Sequence, residues 1–106
     1  MKHPGELSLP LTIRGDDEAV EMLRIWISEG TIKVSPNIGL WADADTDVDE
    51  RDAWGRLLAD TIKHISRGLA LGHNMDRIET ATRIRDELLF NLSSHEGAID
   101  GKFVED

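Results

Sequence analysis

The chain has 106 residues and no cysteine, and its 21 acidic against 12 basic side chains give a formal net charge of −9. This length predicts one domain over residues 1–106. The polar, glycine-bearing C-terminal end predicts a flexible tail at 93–106 after an ordered core at 7–92. The lack of cysteine excludes disulfides, thiolate metal ligands and a cysteine nucleophile.

The net charge and the lack of long apolar segments indicate which partners and which cellular location to expect. A net negative charge opposes binding to nucleic acid and to anionic membranes, so we expect neither as a partner. No apolar run approaches the ~20 residues that a membrane-spanning helix needs, and the first residues lack the apolar segment of a secretory signal. We therefore expect a cytoplasmic protein.

The N-terminal third predicts one strand and one helix. Apolar residues alternate with others over Leu7–Ile13, a period typical of a strand, and Pro10 would confine this strand to a sheet edge. The segment Asp17–Glu29 has acidic residues at its start and apolar residues at helical spacing, including Trp26 as a core filler. Gly30 would end this helix.

A short antiparallel pair is predicted next, followed by an acidic loop. Thr31–Ser35 is β-branched and alternating, and Ile38–Ala42 resumes the alternation after Pro36 and Asn37. The loop over Asp43–Asp49 leads into a helix. Either Asp47 with Glu50 or Asp49 with Asp52 would form its capping box.

The strongest pattern in the chain predicts a central helix over Glu50–Leu71. Its apolar residues recur at offsets of three and four and form one stripe: Trp54, Leu57, Leu58, Thr61, Ile62, Ile65 and Leu69. A third helix is predicted over Met75–Leu92 with Asn74 as its cap, and the short connection makes the two helices an antiparallel hairpin. The predicted fold is α+β in the order β-α-β-β-α-α, with a small, mainly antiparallel sheet of two or three strands packed against three helices.

No complete metal or catalytic site is predicted. Asp43, Asp45, Asp47 and Asp49 fall at positions 1, 3, 5 and 7 of a calcium-binding loop, but the glycine and the bidentate glutamate of that loop are replaced by Val48 and Trp54. The four aspartates remain the only candidate metal ligands.

For catalysis, His64 lies four residues after Asp60, but the sequence has no GxSxG, Walker or GxGxxG motif. Residues 64 and 66 would also point to different sides of a helix, which argues against a base that serves Ser66. We therefore expect no enzyme activity and no cofactor.

The three tryptophans, in a chain without tyrosine, are more informative about function than the candidate metal and catalytic residues. Trp41 precedes the acidic loop and is not part of a helical stripe, so it is a candidate for contact with a partner, together with the adjacent Gly39. Gly55, beside Trp54, costs helix propensity and predicts the close approach of another backbone or of a ligand.

The most distinctive segments resemble a family of small bacterial proteins of unknown function. The resemblance extends from about Leu7 to Leu89, and three stretches carry most of it: Leu23–Trp26, Gly39–Trp41 and Ala53–Asp60. These are mainly packing residues, so the resemblance implies a shared fold and no catalytic residues.

The sequence therefore predicts a non-enzymatic protein-interaction or regulatory module with an unidentified protein partner. Exposed strand edges and an apolar first helix predict a homodimer. The alternative is a protein that binds a small molecule or a divalent cation at the corner formed by Trp54, Gly55 and the acidic loop.

Overall fold

The computed structural model describes residues 2–43 and 45–94, and over this part the chain is α+β in the order β-β-α-α. A short 3-10 turn at Leu11–Ile13 precedes a two-stranded antiparallel sheet made of β1 (Leu23–Ser28) and β2 (Thr31–Pro36). Two helices follow, α1 (Glu50–His73) and α2 (Arg77–Ser94). The α+β class and an antiparallel sheet are confirmed. The predicted element order, the first helix over Asp17–Glu29 and the pairing of 31–35 with 38–42 are wrong.

The segment predicted as the first helix instead contains the first strand of a β-hairpin, Leu23–Ser28, after irregular residues 17–22. Leu23 pairs with Pro36 and Ser28 with Thr31, leaving only Glu29 and Gly30 as the connection. Both connecting residues have positive φ, 56° and 78°, which is the backbone of a type I′ turn. This turn matches the twist of two strands, so the chain reverses here and cannot continue as a helix.

Two further predicted strands are absent from the described residues. Residues 7–10 are irregular, with Leu7 and Leu9 exposed, and 11–13 form the 3-10 turn. Residues 38–42 form turns and do not pair with β2, whose partner is β1. Alternation of apolar residues alone was misleading in these two segments, whereas the strand predicted over Thr31–Ser35, which is also β-branched, is confirmed as β2.

The bounds of the two helices agree closely with their predictions, and capping residues mark their ends. Asp49 caps α1, where its carboxylate accepts a hydrogen bond from the backbone N–H of Arg51 at 2.9 Å. Asn74, predicted to begin α2, instead ends α1 with a left-handed backbone, φ 55°. Asp76 occupies the start of α2, where its carboxylate accepts from the N–H of Glu79 at 2.8 Å. The predicted tail over 93–106 begins inside α2, and its remainder lies outside the described residues.

The chain buries little of its own surface. Among the described residues only Ala53 and Ser66 are buried, and 18 large apolar side chains are exposed. The strands contact each other and the helices contact each other, but in the described part no strand packs against a helix. The prediction of a sheet packed against three helices is therefore wrong. The predicted apolar stripe of α1 is also not fully covered, since Leu58 and Ile65 are 40% and 46% exposed.

Candidate functional site

The loop before α1 is fastened to the helix by one carboxylate. Glu50 accepts hydrogen bonds at Oε1 from the backbone N–H groups of Trp41 and Ala42, at 2.9 and 3.0 Å. Its Oε2 accepts from the N–H of Gly39 at 2.9 Å and from the indole N–H of Trp54 at 3.0 Å. We call these five residues the loop–helix corner. Four donors therefore meet at one side chain, so the corner is internally satisfied.

The local sequence explains how this corner forms. Because Asp49 caps the helix, Glu50 is its first residue, and its side chain is free to turn back toward the loop. Gly39 has φ 101°, a backbone that L side chains rarely adopt. A Cβ added there would also lie 2.9 Å from Oδ2 of Asp43, whose N–H donates to the Gly39 carbonyl at 2.8 Å. The turn therefore requires glycine at position 39.

Electrostatics favour the ionised form of both carboxylates at the start of α1. The backbone N–H of Gly39 and the other donors lower the pKa of Glu50, partly offset by desolvation. Hydrogen bonds from the side chain and backbone of Arg51 lower the pKa of Asp49 to about 2. Both groups stay charged throughout the neutral range and are unsuited to general acid–base catalysis there.

Trp41 and Trp54 meet at this corner edge to face. Their ring centroids are 6.3 Å apart with an interplanar angle of 79°, and both side chains are half-buried. The predicted interaction residues Trp41, Gly39 and Trp54 are thus brought together. The sequence did not predict the contribution of Glu50, since its donors are mostly backbone groups that no residue type reveals.

Gly55 and His64 are not part of this corner. A Cβ at Gly55 would meet no other atom within 4 Å, so the chain's own packing does not explain its glycine. The His64 Nδ1 atom lies 2.8 Å from the carbonyl oxygen of Asp60 and 3.8 Å from its carboxylate, on the exposed surface of α1. Gly39 is therefore required by its turn, whereas the close approach of another backbone predicted at Gly55 is not found among the described residues.

The aspartates of the acidic loop do not converge on a common point. Within residues 2–43 and 45–94 no group of three or more His, Asp or Glu side chains is placed to hold a metal ion. The Asp49 carboxylate already accepts a hydrogen bond at the N-terminus of α1 and forms an ion pair with Arg51 at 2.8 Å. Asp43 lies against Gly39, as described above. Binding of a divalent cation by Asp43, Asp45, Asp47 and Asp49 finds no geometric support in this arrangement.

A feature missed from the sequence is a groove of about 590 Å³ between residues 5–21 and strand β1. Trp26 lies beside it, with its ring 5.0 Å from that of His3 at an interplanar angle of 81°. Arg24, also on β1, forms ion pairs with Glu21 at 3.0 Å and Glu6 at 3.3 Å. The groove is open and largely apolar, and it could not be predicted while residues 17–29 were interpreted as a helix.

The described residues thus define a β-hairpin followed by a helical hairpin, with a hydrogen-bonded loop–helix corner between them. No helix in the described part is both long enough and apolar enough to cross a membrane. The chain belongs to the family described as Domain of unknown function (DUF5076), which matches residues 6–96 and confirms the resemblance inferred from the sequence.

The solved structures that resemble this chain include one that is similar over most of its length. It is described as "Structure of a putative pyruvate dehydrogenase from the photosynthetic bacterium Rhodopseudomonas palustrus CGA009". The two sequences are 26% identical, the TM-score is 0.60, and the similarity covers 88% of this chain and 87% of that one. No curated protein matches the chain. The comparisons therefore support the fold and the family, and assign no function.

Proposed function

We propose that this chain is a non-enzymatic protein-interaction or regulatory module of the cytoplasm that acts as a homodimer. The observation that carries the proposal is the shortage of buried side chains. Only Ala53 and Ser66 are buried among the described residues, whereas 18 large apolar side chains are exposed. Exposed apolar surface of this extent is typical of proteins that associate.

The separate elements explain why association is favourable. A two-stranded hairpin is marginally stable at best in water, and here neither strand packs on a helix. On the helical side, Leu89, Phe90 and Leu92 of α2 are 52%, 62% and 69% exposed. Burying one such side chain contributes roughly 1.5–3 kcal/mol. A second copy would provide the apolar surface that this chain lacks.

For a partner protein we propose the loop–helix corner as the contact surface. Trp41 is a large aromatic side chain held in a loop whose backbone is fixed by Glu50. A rigid anchor loses little conformational entropy on binding, which favours affinity. The adjacent aspartates 43, 45, 47 and 49 add negative charge, so the matching surface on the partner would be basic.

We further propose that the likeness to the structure described as a pyruvate dehydrogenase concerns fold and not catalysis. The one histidine–carboxylate pair recorded among the described residues, His64 with Asp60, is exposed and lies on a single helix face. Incubation of the purified protein with pyruvate and an electron acceptor should give no pyruvate-dependent reduction. Reduction that rises in proportion to protein concentration would contradict the non-enzymatic assignment.

The contact surface is tested by affinity purification from the native host with the wild-type chain and two variants. Trp41→Ala removes the proposed anchor, and Leu71→Ala removes an apolar side chain that is 83% exposed on α1. Partners captured by the wild type and by Leu71→Ala should be lost with Trp41→Ala. If Trp41→Ala retains every partner, the corner is not the contact surface.

A further inference from the structure

Strand β1 has an outer edge whose backbone groups are available for pairing. The N–H of Asn37 donates to the carbonyl of Met22 at 2.8 Å, so these two residues form a hydrogen-bonded pair of the hairpin. Such pairs alternate with non-hydrogen-bonded pairs along an antiparallel ladder. The observed register therefore directs the backbone N–H and C=O groups of Leu23, Ile25 and Ile27 away from β2.

This edge is open among the described residues. The groove between residues 5–21 and β1 follows the edge from Leu23 to Trp26, and no backbone hydrogen bond joins the two sides in the described part. Ile25 and Ile27 are 57% and 80% exposed, and the only charged side chain on β1 is Arg24. The opposite edge, on β2, ends at Pro36, which has no N–H to donate.

We propose that β1 pairs with β1 of a second copy, antiparallel and about a two-fold axis at Ile25, so that two hairpins form one four-stranded sheet. This inference rests on the homodimer proposed above and says where its two copies meet. With the axis at Ile25, Leu23 of each copy faces Ile27 of the other, and all three outward residues pair. A shift of the axis by one residue leaves only two residues of each strand paired.

The side chains are complementary in this register. Leu23, Ile25 and Ile27 lie on one face and continue the apolar surface that Ile32 and Val34 begin within each hairpin. On the other face Arg24 of each copy, which is held by its ion pairs with Glu21 and Glu6, lies opposite Trp26 of the partner copy. No pair of like charges is brought together within residues 23–27.

The exposed area around this edge is close to what a stable dimer needs. Five large apolar side chains that line the groove or lie on the edge strand are at least half exposed: Leu7, Leu9, Val20, Ile25 and Ile27. At roughly 100 Å² for each buried side chain they supply about 500 Å² per copy. The paired backbone adds to this, and a standard interface buries about 800 Å² per partner.

A pair of proline variants tests the edge. Ile25→Pro removes one outward N–H of β1 at a position that makes no hydrogen bond to β2. Ile32→Pro is the matched control, because it makes the same change on the outer edge of β2. Ile25→Pro should raise the dimer dissociation constant at least tenfold, and Ile32→Pro should leave it within about twofold. Equal effects of the two variants would overturn the proposed edge.

Disulfide cross-linking tests the same pairing in variants that keep all backbone donors. Residues at position 25 face each other across the axis at a Cα separation of about 5.5 Å, which suits a disulfide. The chain has no native cysteine, so oxidised Ile25→Cys should form a covalent dimer in high yield, whereas Leu71→Cys should not. Efficient cross-linking of Leu71→Cys with none at Ile25→Cys would overturn the edge pairing while supporting a dimer. A monomeric wild-type protein would contradict the homodimer itself.

Discussion

Glu50 and Trp54 are joined across the first turn of α1 by a hydrogen bond of 3.0 Å from the indole Nε1 to Oε2. The same carboxylate holds three backbone N–H groups of the preceding loop, so the start of the helix, the loop and the ring of Trp54 form one unit.

Glu50→Gln should lower the thermal midpoint of unfolding. The amide keeps the size of the side chain but replaces one accepting oxygen with an NH₂ group, which would face N–H donors of the loop. Asp52→Asn is the control, since it makes the same charge change two residues later, where the side chain makes no hydrogen bond to residues 39–42. Equal midpoints for the two variants in thermal denaturation would show that the Glu50 bonds contribute nothing.

Stability should fall in acid as Glu50 and Asp49 become protonated. Folding lowers the pKa of both carboxyls, from 4.5 for Glu50 and from 3.8 to about 2 for Asp49. A lowered pKa stabilises the fold above the ordinary value, and this stabilisation is lost as the pH falls through the folded value. Urea unfolding from pH 6 to about pH 2 should show the loss beginning below about pH 4.5, with a weaker slope in Glu50→Gln.

Gly39→Ala should destabilise the chain by more than about 1 kcal/mol, because a residue with a Cβ is strained at φ 101°. Gly15→Ala is the matched control, since a Cβ there meets nothing within 4 Å. Its change in unfolding free energy should be near zero. A Gly39→Ala variant as stable as Gly15→Ala would be inconsistent with the described turn.

Glu29→Asn should stabilise the hairpin by about 0.5–1 kcal/mol, because asparagine tolerates positive φ better than glutamate and Asn-Gly favours a type I′ turn. The variant loses only an ion pair with Lys33 of 3.6 Å in which Glu29 is 88% exposed. Glu29→Gln removes the charge without relieving the backbone and should bring no gain. Chemical denaturation of the three proteins measures the difference.

Ser66 is fully buried on α1 and donates its hydroxyl to the carbonyl of Ile62 at 2.8 Å. Ser66→Leu should destabilise by about 1–3 kcal/mol, because the added volume has no space. Ser66→Ala removes one hydrogen bond whose acceptor is a helix carbonyl, and should cost less than about 1 kcal/mol. If the leucine variant unfolds at the same denaturant concentration as wild type, the helices are not packed as described.

The sequence predicted the helices well because their periodicity extends over many turns and their ends carry caps such as Asp49. The prediction for Leu23–Ser28 was wrong because its apolar residues fit two patterns. Leu23, Trp26 and Ile27 fit helical spacing, whereas Leu23, Ile25 and Ile27 fit the alternation of a strand equally well. The turn at Glu29 and Gly30 decides between them, and glutamate seldom signals positive φ.

The candidate site was predicted in part. Trp41, Gly39 and Trp54 do meet, although residues 38–42 form turns and not the predicted strand. Glu50 was missed as their common acceptor because three of its four donors are backbone groups that lie 8 to 11 residues earlier. The open edge of β1 was missed because it exists only once the hairpin is known.

The most direct test of the central claim is the mass of the wild-type chain in solution, measured by light scattering at tens of micromolar. Because so few side chains are buried within one copy, we predict a mass of twice the 11.8 kDa of the chain. A mass of 11.8 kDa that does not change with concentration would contradict the homodimer.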